Sequence, residues 1–94
     1  MPVNCKAKGT RNERRAKAKL EAVGWFVVRA AGSLGLWDLV ALHPDHGVTL
    51  IQVKTNRRPG GLELDRLRAF LCSPWRKEIW TFWDRRRDPD VEAI

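Results

Sequence analysis

Two apolar runs of equal length, LWDLVAL (residues 36–42) and VTLIQVK (residues 48–54), flank the five-residue stretch HPDHG. A connection this short joins only antiparallel neighbours, so residues 36–54 are predicted to form a hairpin. With HPDHG as its loop, Leu42 pairs with Val48, Val40 with Leu50, and Asp38 with Gln52. Side chains alternate between the faces of a strand, so positions 36, 38, 40 and 42 share a face with 48, 50, 52 and 54. An acid, an amide and an amine, Asp38, Gln52 and Lys54, then meet on a face that is otherwise apolar. Directly opposed Cβ atoms lie about 4.5–5.5 Å apart, so these groups form a cluster. A one-residue slip would turn the apolar set to the wrong side.

The rest of the chain supplies the partners of this hairpin. WFVVRAA (residues 25–31) is a β-branched and aromatic run followed by the Gly-rich turn AGSLG, which makes it a third antiparallel strand. Upstream, Thr10 reads as an N-cap and RNERRAKAKLEAV as a helix that stops at Gly24. Downstream of TNRRPGG, the segment LELDRLRAFLC carries apolar residues at 64, 67, 70 and 71, a helical stripe. EIWTFW (residues 78–83) is a last strand. Residues 1–9 are expected to be a mobile basic arm and residues 85–94 a charged tail, within a single 94-residue domain. The order αβββαβ predicts an α/β fold with a central mixed sheet flanked by helices.

The first helix contributes a second acid. Ala16, Leu20 and Val23 are spaced as an inward stripe, and extending it back by three residues reaches Glu13. Arg14, Arg15, Lys17 and Lys19 lie on or beside the outer flanks of the same helix, available to solvent or phosphate, and Lys8 and Arg11 are expected on DNA beside them. Thr10 and Glu13 also have capping-box spacing, and Asp38 with Lys54 can be read as a structural ion pair. Buried ion pairs are, however, a weak source of stability. Polar groups converging on one apolar face therefore point to a site with chemistry.

Charge narrows the partner. Eighteen Lys and Arg against eleven Asp and Glu leave a net +7, which favours a polyanion such as nucleic acid. Arg57, Arg58, Arg66 and Arg68 suit phosphates or a solvated face. Cys5 and Cys72 form no C-x-x-C pair, and His43 and His46 bracket a turn, so neither a disulfide framework nor a zinc site is expected. No apolar run is long enough to span a bilayer, and an intracellular, cytoplasmic location is expected. Trp75, Trp80, Phe82 and Trp83 read as core and subunit interface, with stacking on an unpaired base as the alternative.

Two carboxylates and an amide carbonyl are hard oxygen donors that suit Mg²⁺, or Mn²⁺ in its place. A lysine beside such a cation can stabilise charge on a phosphate, which is the chemistry of phosphodiester hydrolysis. The ordered segments KGTRNERRAKAKLEAVGWFVVRAAGS, WDLVAL and IQVK resemble those of the PD-(D/E)XK nuclease superfamily, and within it the archaeal-type Holliday junction resolvases. The resemblance covers residues 8–72 and implies a restriction-endonuclease-like core. It also implies metal ligation by Glu13, Asp38 and the residue at position 52, assistance from Lys54, and a Ser33 near the scissile phosphate. Arg14 and Arg29 match basic positions that the family uses on DNA, and the family acts as a homodimer. Gln52 departs from the pattern, because the resolvases usually carry Glu there. That departure keeps two other readings open: a restriction- or repair-type nuclease on the same fold, and a DNA-binding module whose active site has decayed.

Overall fold

A computed structural model describes residues 5–30, 36–70 and 75–94, with side chains from Lys8 onward. Ser33, Cys72 and the side chain of Cys5 lie outside the described residues. The elements are α1 (Cys5–Glu21), β1 (Phe26–Arg29), β2 (Leu39–His43), β3 (Gly47–Thr55), α2 (Gly61–Ala69), β4 (Arg76–Phe82) and β5 (Asp90–Ala93). They build one five-stranded sheet in the order β1-β2-β3-β4-β5. All neighbours are antiparallel except β3 and β4, which run parallel through the crossover of α2. This is a mixed-sheet α/β fold of the restriction-endonuclease-like kind.

The hairpin register matches the expected one, with Leu42 opposite Val48 and Val40 opposite Leu50. Its loop is tighter, because pairing continues to His43 and Gly47 and leaves Pro44–His46 as the turn. Gly47 has φ +75°, the left-handed residue that closes a three-residue hairpin loop. Gly24 has φ +99° just beyond the end of α1, as a helix terminator does.

Alternation sends side chains to two cores. Ala16 and Leu20 of α1 pack against Val27, Leu39, Ala41, Ile51, Trp80 and Phe82 on one face. Leu64, Leu67 and Phe70, on α2 and just beyond it, pack with Trp37, Leu50 and Ile79 on the other. Trp80 and Phe82 are thus core residues, while Trp75 is exposed and Trp83 donates its indole N–H to Asp90 at 2.9 Å. α2 covers only part of its face, and Phe26, Val28 and Leu42 remain 67%, 46% and 39% exposed at the β1–β2 end.

Three expectations are corrected. α1 starts at Cys5, so residues 5–9 are its first turns and Thr10 is an internal helical residue, which removes the capping-box account of Glu13. The segment around Gly9 is rich in Lys, Ala and Arg, and one internal glycine costs a helix only about 1 kcal/mol. Val23 lies past the end of α1 and is exposed, and at the other end of the stripe the inward position belongs to the buried Asn12 rather than to Glu13; Asn12 donates to Thr55 Oγ1 at 2.8 Å. Residues 90–93 of the charged tail form β5, with Glu78 opposite Ala93 and Trp80 opposite Val91.

Candidate active site

The β2–β3 ladder ends at Leu39 and Ile51, and Asp38 begins to turn away from it. The Asp38 backbone N–H donates to the Ile51 carbonyl at 3.0 Å. Its carboxylate in turn accepts the Val53 backbone N–H at 2.8 Å. Asp38 therefore grips β3 on both sides of Gln52, and the predicted juxtaposition of acid and amide is realised by these bonds rather than by a ladder pair. Strict alternation breaks at this point, which lets Leu36 and Trp37 both reach the α2 core.

Burial pushes the Asp38 carboxyl above the ordinary 3.8; the Val53 hydrogen bond opposes the shift, Glu13 adds to it, and Lys54 and Arg29 oppose it. The half-buried acid thus lacks adequate positive compensation. Gln52 Oε1 is also buried and accepts no hydrogen bond among the described residues. A buried acceptor without a partner costs about 1–3 kcal/mol, so this oxygen is a candidate ligand for a cation.

Lys54 lies on the same face of β3 as Gln52, with its side chain only 10% exposed. Its ammonium pairs with Glu63 in the first turn of α2, and it does not hydrogen-bond Asp38. Glu13 does not share this face, because α1 packs on the opposite one. Its Oε1 accepts from Arg29 Nη2 at 3.0 Å and from Nε at 3.3 Å. Glu13 and Lys54 therefore approach Asp38 from the two sides of the sheet end. Among the described residues no group of three or more His, Cys, Asp and Glu side chains is arranged to hold a metal ion. Asp38 and the Gln52 side-chain carbonyl could hold a hard cation, and Glu13 would join them only by opening its pair with Arg29.

A cleft of about 710 Å³ opens beside Lys54, lined by Lys8, Gly9, Val53, Thr55, Asn56, Arg57 and Asp84. The left-handed Asn56 shapes its wall, donating its N–H to Phe82 O at 2.8 Å and accepting from Asp84 N at 2.8 Å. The basic residues separate into two groups. Arg11, Arg14, Arg57, Arg66 and Arg68 are exposed and form no ion pair among the described residues. Lys8 pairs with Asp84, Arg29 with Glu13 and Arg58 with Glu92. Arg15 donates to Asn12 Oδ1 and Arg87 O, with its guanidinium 4.8 Å from the Phe82 ring centre.

Sequence reasoning missed Glu63. The usable signal is topological: a β3–α2–β4 crossover brings the first turn of the helix back to the end of β3, where Lys54 stands.

The chain matches the model of the family described as archaeal Holliday junction resolvase over residues 4–67. No curated protein and no solved structure matches it.

Proposed function

The chain belongs to the archaeal Holliday junction resolvase family, and we propose that it is a homodimeric, Mg²⁺-dependent endonuclease that resolves four-way DNA junctions by paired nicks. The observation that carries this reading is the buried, unpartnered Oε1 of Gln52, a residue that Asp38 brackets through its bonds to the backbone of Ile51 and Val53. One carboxylate and one carbonyl oxygen are the donors that Mg²⁺ accepts, commonly with waters and phosphate completing its shell. Bound there, Mg²⁺ supplies positive charge that polarises a phosphodiester and acidifies water.

The chain's own groups do the rest. The Val53 N–H orients Asp38. Lys54 presents its ammonium to a phosphate oxygen as charge develops there. Arg57 lines the adjoining cleft and holds a flanking phosphate, joined by the exposed Arg11 and Arg14, and Lys8 would join them by leaving Asp84. Opening the Glu13–Arg29 pair would supply both a further ligand and a further phosphate contact. The uncovered apolar surface of Phe26 and Val28 on the edge strand β1 and Leu42 on β2 supports the dimer. Two-fold symmetry would present equal sites to a junction that can share the axis.

The test is a nicking and gel-shift assay with Mg²⁺ at fixed ionic strength on a mobile junction and on a duplex of identical arm sequence. Preferred binding and paired nicking of the junction are expected. Equal cutting of the duplex would replace this reading with a general nuclease, and binding without cutting with a DNA-binding module.

A further inference from the structure

Three carboxylates surround the Lys54–Asp38 region, and they are not equivalent. Glu13 is paired with Arg29, Glu63 is paired with Lys54, and Asp38 has no cationic partner among the described residues. Position 52 carries a neutral amide, so of these three acids Asp38 is the one with its charge uncommitted. Its electrostatic neighbourhood nevertheless includes the Lys54 ammonium. A buried ammonium without a carboxylate is strongly unfavourable, so a Lys54 that lost Glu63 would turn to the acid left to it. That acid is Asp38, and the resulting pair would cancel the charge needed to hold a cation.

We propose that Glu63 is a positioning residue: it holds the Lys54 ammonium against α2 and off Asp38, leaving the Asp38 carboxylate open to a divalent cation. Three features support the assignment. Glu63 Oε1 is buried and has no hydrogen-bond partner beyond its contact with Lys54. Glu63 stands in the first turn of α2, where the helix dipole favours a negative charge in place. Lys54 is anchored on β3 between β2 and β4, so only its side chain is free to choose between acids. The inference rests on the reading of Asp38 and Gln52 as cation ligands, and it separates their work from that of Lys54.

The experiment measures Mn²⁺ binding to the full chain by electron paramagnetic resonance, without DNA, for the parent, Glu63→Ala, Glu63→Gln and the double variant Glu63→Ala/Lys54→Ala. Glu63 is partly exposed, and thermal melts check that each variant folds. Glu63→Ala should weaken Mn²⁺ binding roughly tenfold or more, as expected when an ammonium settles on the ligand. Removing Lys54 as well should restore affinity to at least the parent's, and Glu63→Gln should fall between. A double variant as weak as Glu63→Ala would overturn the proposal in favour of direct ligation by Glu63. Unchanged affinity in Glu63→Ala would overturn it outright.

The ¹⁵N signal of the Lys54 ammonium gives an independent readout. It should shift in Glu63→Ala and stay in place in Asp38→Asn; the reverse pattern overturns the proposal. If the parent binds no Mn²⁺ saturably, the cation reading of the site fails, and the ammonium signal still decides whether Glu63 holds Lys54.

Discussion

Asp38 accepts the backbone N–H of Val53 at 2.8 Å while donating its own N–H to Ile51, so one residue of β2's approach brackets Gln52 on β3. The carboxylate is thus aimed by backbone and does not depend on another side chain. Asp38→Asn keeps an acceptor for Val53 and removes only the charge. Cleavage should fall by roughly a hundredfold or more, the rate equivalent of several kcal/mol of lost electrostatic stabilisation. Junction affinity should stay near the parent's, because it comes from surface Arg and Lys. Single-turnover nicking and gel shift on one preparation check both halves; a variant that cuts at the parent rate removes Asp38 from the site.

Gln52→Glu should lower the Mg²⁺ concentration needed for half-maximal nicking. The substitution replaces a neutral buried oxygen with a charged one at the same reach, and a hard cation prefers the latter. A Mg²⁺ titration of the initial rate gives the answer, and a raised requirement would remove Gln52 from the ligands.

Burial lifts the Asp38 carboxyl above 3.8, which has a definite sign for stability. The folded form binds this proton more tightly than the unfolded chain does. Its contribution is therefore fully present below 3.8 and is lost as pH rises through the higher folded-state value. In buffer free of divalent cations, Asp38→Asn should melt above the parent near neutral pH, and the difference should vanish in acid. Melting curves across that range measure it; a parent that outlasts the variant at neutral pH contradicts the assigned burial.

Arginines on this chain should divide by partner. Arg57 is exposed at the cleft, so Arg57→Ala should weaken binding to junction and duplex alike and reduce the salt slope by about one. Arg15 is held by Asn12, Arg87 and the Phe82 ring, so Arg15→Ala should instead lower stability by about 1–2 kcal/mol. Salt-dependent binding and urea melts of the two variants separate the roles.

Phe26 is 67% exposed beside Leu42 and Val28, on the part of the sheet that α2 leaves bare. Phe26→Glu should shift a dimeric parent toward monomer in sedimentation while the chain stays folded, with a melting temperature that loses its dependence on protein concentration. A parent that is monomeric at micromolar concentration would count against the two-fold arrangement.

Much of this arrangement was legible in the chain because it depends on local pattern. The Val40–Leu50 register follows from alternation and loop length, and it carries Asp38 to Gln52 without further information. Two things were not legible. β5 is short, largely exposed and polar, so DPDVEA shows no apolar run; its place depends on β4, and the bonds from Arg58 to Glu92 and from Arg86 to Asp90 tie it there. The contact of Lys54 with Glu63 joins separate elements across a crossover, and no periodicity encodes a meeting of opposite charges. The start of α1 was misplaced for a simpler reason: Gly9 and Thr10 have the look of a boundary, but the flanking Lys, Ala and Arg carry the helix through them.

The parallel pairing of β3 with β4 has a consequence in time. A hairpin with a three-residue turn closes within about 1–10 μs in isolation, whereas a parallel pair must first close the long loop that contains α2. The grip of Asp38 on Val53 belongs to the first event and the capture of Lys54 by Glu63 to the second. The two halves of the site are therefore expected to mature in sequence, with the acid aimed before the lysine is restrained. Folding-rate measurements would carry that signature: destabilising the hairpin turn at Gly47 should slow folding, whereas Glu63→Ala should act mainly on unfolding.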